Sequence, residues 1–452
     1  MHRERLLATA RTTRIGLPGF LLLGVIAAAC SDASRTSQDL TCSGGPDGSP
    51  PSTLYVSLMQ DQLVNADYWE SEPRILAAGL GFTDIIGVPG LDSSDLDTQK
   101  ASTLAAGGAW NVVVTTMTTI AQRAWTSAIS PNGVENSYGW PVQFCDGLPI
   151  EFSWPVLPRT VQGSDFVVHL NDGSAVQPLV ASIQPNFEYN ERSTVVVFGE
   201  FGNRLPPDVP GALYPVSFEI VDDGTPLSLV GPGGRVVSAV GFTYGTGDDP
   251  YTAYNPGRGP TLCAAKLSRM STEGEGGPAA FNGQMPNDGV ALYGDAAQYR
   301  LRVLTTGGFS PDGVTSVFPT EYERYFRVQA IDAAGREHWL ERTGVPYEID
   351  GGTVTVVGLA DLGVKQSSYD DGYVEDHDNQ IDIVLSGDES AVRAIRMVEI
   401  PAADGYSPFY NPGGPGNDPD PETVYSQPGP LTQQPVTIAL DDPMTVTYPP
   451  AD

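Results

Sequence analysis

The spacing of apolar residues changes along the chain. Over residues 54–130 it is mixed: Trp110, Val113, Met117, Ile120 and Ala124 recur every three or four positions, as one face of a helix requires. The β-branched run Val112-Val113-Val114-Thr115-Thr116 leaves a strand open for the first half of that stretch. From Pro149 the period shortens to two. Phe166, Val168 and Leu170 alternate with Val167 and His169, and Asn171-Asp172-Gly173 then supplies residues suited to positive φ, which predicts a hairpin. Further strands are expected at 194–198, 216–221 and 235–244. A Gly/Pro-rich passage, 245–289, separates them from a second set at 298–305, 325–331, 353–357, 381–385, 392–400, 436–440 and 444–448, with a hairpin turn at Asp350-Gly351-Gly352. The stretch 406–430, crowded with Pro, Gly and Asn, reads as a long surface loop before a last hairpin. The pattern predicts a mainly β protein: a β-sandwich, a second β-rich region and a small mixed or helical N-terminal part. No motif recurs at a fixed period, which argues against solenoids and propellers.

Composition narrows the class. With 452 residues, 40% hydrophobic and 17% charged, the chain can bury a sizeable core. Its 24 basic and 55 acidic residues give a net charge of −31, which repels phosphate backbones and excludes nucleic acid as a partner.

Arg3, Arg5, Arg11 and Arg14 precede an apolar run, 15–29, that ends in Ala27-Ala28-Ala29-Cys30. This segment resembles the signal peptide and lipobox of bacterial lipoproteins. The resemblance implies cleavage before Cys30, acylation of its thiol, and a protein that is exported and membrane-anchored at the outer membrane, cell surface or periplasmic face. An ordinary secretory cleavage site at the same place is the alternative. The run is short for a membrane span, and Pro18 interrupts it. The expected organisation is a signal peptide over 1–29, a flexible tether over 30–53, a mixed α/β region over 54–148, a sandwich over 149–245 and a β-rich region over 246–452.

Three cysteines remain for pairing: Cys42, Cys145 and Cys263. All three pairings are open. Cys145 with Cys263 is the expected one, because both lie in the body while Cys42 falls in the tether. Pro149-Ile150-Glu151-Phe152-Ser153-Trp154, Asp165-Phe166-Val167-Val168 and Ser193-Thr194-Val195-Val196-Val197 together resemble bacterial immunoglobulin-like domains of exported proteins. That resemblance covers about residues 149–244 and implies a spacer or binding module with no catalytic residue.

Catalytic motifs are missing: no G-x-S-x-G, no phosphate-binding loop and no H-E-x-x-H occurs. Gly308-Phe309-Ser310-Pro311-Asp312 reads as a turn. An acidic stretch, 370–389, contains Asp376, Asp378, Asn379 and Asp382, whose oxygens lie at spacings a loop uses to wrap calcium; a solvated acidic loop is the competing reading. His169, His338 and His377 each stand alone, and His377 between two aspartates is a weaker candidate for a transition metal. Glu188, Glu191 and Glu200 could serve glycoside hydrolysis if two carboxyls came within about 5–10 Å across a cleft; a surface pair Glu191–Arg192 is the simpler expectation. Aromatic residues crowd 321–326 and 244–254, either as an exposed platform or as a tyrosine core. The function expected is a lipid-anchored binding or adhesion-type protein of the cell envelope for a glycan or protein ligand, with calcium ordering one loop. An exported carboxylate hydrolase of glycans or esters and a purely structural envelope component are the alternatives.

Overall fold

The protein is mainly β. The computed structural model describes residues 41–45, 52–79, 86–106, 110–113, 123–126, 129–183, 188–203, 210–245, 261–271, 287–305, 317–363, 379–401 and 431–448. The N-terminal part is mixed: α1 (Thr53–Leu58), β1 (Leu63–Asp67), β2 (Ile75–Ala78), α2 (Leu96–Ala105), β3 (Trp110–Val113), β4 (Arg123–Thr126) and α3 (Pro131–Tyr138). Where the spacing favours a helix, β3 and β4 instead form an antiparallel ribbon with Trp110 opposite Thr126. Val112 and Val113 lose side-chain freedom in a helix and suit a pleated strand, and this preference outweighs the helical period.

Two four-stranded antiparallel sheets form the first sandwich. One holds β2, β5 (Asp146–Phe152), β9 (Thr194–Gly199) and β8 (Val180–Ser182), in that order. The other holds β13 (Thr243–Gly245), β10 (Pro215–Ile220), β6 (Phe166–Leu170) and β7 (Ala175–Val176). Leu148, Ile150, Phe152, Val195 and Val197 from the first meet Phe166, Val168, Leu170, Phe218 and Ile220 from the second in one buried core. The alternation seen in the sequence at 166–170 therefore points the expected side inward, and Gly173 takes the positive φ of the expected turn. The expected strand 235–244 is broken. β12 (Arg235–Ser238) pairs with β11 (Ser228–Gly231), Gly241 turns the chain at φ +89°, and β13 joins the other sheet.

The second sandwich places a six-stranded sheet against a four-stranded one. The larger runs β18 (Tyr347–Ile349), β19 (Gly352–Ala360), β20 (Gln380–Gly387), β15 (Tyr299–Thr305), β14 (Leu262–Arg269), β23 (Thr437–Ile438). The smaller runs β17 (Glu337–Leu340), β16 (Arg327–Ile331), β21 (Ile395–Ile400), β22 (Thr432–Pro435). Short helices α4 (Gly289–Tyr293), α5 (Tyr322–Tyr325) and α6 (Glu389–Val392) sit between strands. Tyr322, Tyr325 and Phe326 are buried with Leu301, Val303 and Ile383, so the aromatic cluster at 321–326 is core rather than platform. The turn Asp350-Gly351-Gly352 joins β18 to β19, with Asp350 and Gly351 both at positive φ.

The C-terminal segment is not the expected hairpin. β22 extends the smaller sheet, β23 runs parallel to β14, and β24 (Thr445–Tyr448) pairs with β1 at the other end of the sequence. Pro435 has no N–H to continue the first ladder, and the chain changes sheets there. Met444 takes a positive φ before β24. The regions marked off along the sequence are thus interleaved: β2 completes the first sandwich, β24 returns from the last residues to β1, and the described residues all belong to one compact unit.

Candidate functional site

The larger sheet of the second sandwich is buried on both faces at its centre, β15. Every residue of β15 is buried. Strand geometry sends Leu301 and Val303 into the sandwich core and Arg300, Arg302 and Leu304 to the opposite side. Lys266, Arg302 and Asp382 are direct neighbours across β14, β15 and β20. Two cations side by side repel. The N-terminal half supplies the compensation: Asp67 pairs with Lys266 and accepts from Arg300 and Arg302 at 3.2 Å each, and Glu191 lies 3.0 Å from Arg302. Asp361 also pairs with Arg302, while Asp382 holds Arg302 at 2.8 and 3.1 Å and accepts from Asn287. Burial opposes the charge on Asp67, yet Lys266, Arg300 and Arg302 outweigh it and hold its pKa at about 2. Trp69 and Leu76 pack beside this network against Ala264 and Leu304.

The sequence candidates can now be placed. Asp376, Asp378 and His377 lie outside the described residues. Asn379 donates to the Thr305 carbonyl at 2.5 Å, and Asp382 is fully buried in its pairing with Arg302. Both oxygens of Asp382 accept from Arg302, and one also from Asn287. Among the described residues no group of three or more His, Cys, Asp or Glu is placed to hold a metal ion. Glu188, Glu191 and Arg192 are buried to within 4% exposure, so Glu191–Arg192 is no surface pair and the glutamates meet no cleft. Glu200 is exposed and accepts from the Cys42 N–H at 2.8 Å. His169 faces Glu219 at 3.4 Å, and His338 contacts Asp332 at 3.1 Å.

The expected disulfide is also corrected: Cys42 bonds Cys145, and Cys263 is free. Residues 41–45, assigned to the tether, dock on the body through an antiparallel bridge between Ser43 and Gln143, with N–H to carbonyl distances of 3.0 and 2.8 Å. That bridge brings Cys42 to Cys145. Cys263 lies instead on β14 against the Leu304 carbonyl, where burial raises its thiol pKa.

Beside this disulfide is a cavity of about 610 Å³ that the sequence reading missed. Its first wall is aromatic. Ser52 caps α1 by accepting from the Tyr55 N–H at 3.1 Å, and its own N–H donates to the Gly139 carbonyl at 3.3 Å. Ser130 and Pro131 start α3, and Gly139 ends it in the left-handed region at φ +89°. A Cβ on Gly139 would stand 2.3 Å from Tyr55, so only glycine lets the two segments meet. Tyr55 and Trp140 consequently pack edge to face, with centroids 5.2 Å apart. Trp140 also packs on the cluster of Val134, Val142, Cys145 and Phe198 that surrounds the disulfide.

The opposite wall is the turn Gly163–Asp165 with the approach to β8. Asp165 is buried and accepts from the Gln162 N–H at 2.7 Å and the Leu227 N–H at 3.2 Å, which ties the turn to the sandwich. Burial pushes its pKa up to about 7. Asp223 accepts from the Ser164 hydroxyl at 2.5 Å. Gln162 and Gln177 reach the cavity with their amide nitrogens donating to Thr225 Oγ1 at 2.6 Å and the Ser164 carbonyl at 3.3 Å. The lining residues come from positions 55, 140, 161–164 and 177–181, and none of the eleven carries a formal charge. Comparison with protein-family models, curated proteins and solved structures returns no match.

Proposed function

We propose that this chain is an exported, lipid-anchored binding protein of the cell envelope that receives an uncharged ligand between Tyr55, Trp140 and the turn at Gly163. The observation that carries the reading is the cavity itself: a concavity of the size that takes small ligands, with two aromatic rings on one wall and fixed amides on the other. The N-terminal resemblance supplies the anchor at Cys30. Cys42, held by its disulfide, lies twelve positions after Cys30, a reach of about 40 Å when fully extended, so acylation would keep the cavity close to its membrane. Among the described residues no helix is long and apolar enough to cross a membrane. Calcium remains part of the proposal only through residues 370–378. The hydrolase alternative draws no support from the geometry, since Glu188 and Glu191 are buried and Glu200 caps a backbone N–H.

The six tryptophans allow a direct test. In a 5-fluorotryptophan-labelled chain, the ¹⁹F line assigned to Trp140 by Trp140→Phe is expected to shift when envelope extract is fractionated onto the protein. A Trp140 line unmoved by every fraction rejects the site. Mass spectrometry of protein from its native cells is expected to find a diacylated Cys30 as the first residue, and an intact Met1 rejects the anchor.

A further inference from the structure

Resting on the reading of the Tyr55–Trp140 cavity as a binding site, we infer that its ligand is a neutral oligosaccharide, held by stacking on the indole and by hydroxyl-to-amide hydrogen bonds. Four observations point to this class. The first is charge: in a chain of net charge −31 no ionised side chain lines the cavity. The carboxylates at the Gly163 turn are occupied, Asp165 by the Gln162 and Leu227 N–H groups and Asp223 by Ser164 and Thr225. A cationic ligand would find no counter-ion here, and an anionic one would meet the repulsion of the whole surface.

The second concerns peptides. One way an extended peptide binds is by joining a free strand edge. The strand at this cavity, β8, is the edge of its sheet, but the Gly163 turn covers it: a Cβ on Gly163 would stand 2.8 Å from the Pro178 carbonyl and 3.0 Å from the Val180 nitrogen. Pro178 has no N–H to offer, and the Leu179 N–H already donates to the Phe198 carbonyl at 2.7 Å. No ladder is open.

The third is the state of the amides. Gln162 and Gln177 are exposed, yet each is held through its nitrogen by a neighbouring segment, Gln162 by Thr225 Oγ1 and Gln177 by the Ser164 carbonyl. Tethering lowers the entropy cost of ordering these side chains on binding, and the Gln177 Oε1 is the acceptor a ligand hydroxyl would use. The fourth is the aromatic wall. Tyr55 and Trp140 are half-buried, and the C–H face of a pyranose is the uncharged, slightly positive surface that an aromatic face attracts.

Calorimetry on the purified full chain with cellohexaose, maltohexaose, laminarihexaose and chitohexaose tests the assignment, with oligogalacturonate and a proline-rich decapeptide as the charged and peptide arms. At least one neutral oligosaccharide is expected to bind, with affinity falling at least about tenfold in Trp140→Ala and about threefold in Gln177→Ala. Gln177 is exposed, so its variant keeps the test open if Trp140→Ala fails to fold. Peptide binding that depends on Trp140, with no saccharide bound, overturns the saccharide class and leaves the binding site standing. Saccharide binding unchanged in both variants, or no ligand bound in any arm, overturns the proposal at this site.

Discussion

The face of β15 that meets the N-terminal half buries Arg300 and Arg302, with Lys266 beside them and Asp67, Glu191, Asp361 and Asp382 in compensation; the cavity beside the disulfide is lined by uncharged residues alone. The two regions show what charge does when it is buried. In the network three cations and four carboxylates pair with one another, and the cost of dehydration makes each member dependent on the rest. No charged side chain lines the cavity, and its polar atoms are amides and hydroxyls that a neutral ligand can satisfy. Of the carboxylates that look catalytic in the sequence, Glu191 thus helps join the two sandwiches, while the residues proposed to bind a ligand look unremarkable in sequence.

The largest expected effect breaks the network. Removing one partner of a buried, hydrogen-bonded ion cluster leaves the others uncompensated, so Arg302→Met and Asp67→Ala are each expected to lose about 3–5 kcal/mol of stability in chemical denaturation. Equal loss from replacing the exposed Arg74, whose pair with Glu70 is a surface contact, would show that burial is not what makes the network matter. Next comes the disulfide. Cys42 and Cys145 are 103 residues apart, and Cys42→Ser with Cys145→Ser is expected to cost about 2–4 kcal/mol and to weaken ligand binding as well, because the bridge anchors the Trp140 wall.

A subtler effect separates the regions by pH. Glu151 is buried beside Thr194, and burial pushes its pKa up to about 8. The native state therefore keeps a proton that the unfolded chain releases near the ordinary glutamate value of about 4.3, and stability is expected to fall as pH rises from about 5 to 8, by at most about 1.4 kcal/mol per unit. Asp165 adds the same sign up to about 7. Glu151→Gln should flatten the slope, measured as urea midpoint against pH, leaving the Asp165 part; an unchanged slope removes Glu151 from the account. The smallest effect is Glu70→Ala, expected to change stability by less than about 1 kcal/mol.

Much of the fold is legible because its signals are local. Phe166, Val168 and Leu170 share a face by period two, Asp350-Gly351 makes a positive-φ turn, and both sandwich sets of strands follow such cues. The network is not legible because ion pairing has no spacing: Asp67, Lys266, Arg302 and Asp382 converge from remote strands. β14 hides in a Gly/Pro-rich passage, and its Lys266 reads as a solvent-facing residue until a second half covers that face. The pairing of Cys42 fails in the sequence for a related reason, since docking of residues 41–45 depends on backbone bonds to Gln143 that no side-chain pattern announces. For the cavity, only Gly139 gives a local sign, as the glycine that ends α3, and nothing in the sequence says that Tyr55 is what it makes room for.

The division of labour between the regions is tested most directly by measuring Trp140→Ala twice, for affinity toward the bound oligosaccharide and for melting temperature. The account expects at least about a tenfold loss of affinity with melting lowered by only a few degrees. Unaltered affinity in a variant that still folds would contradict it.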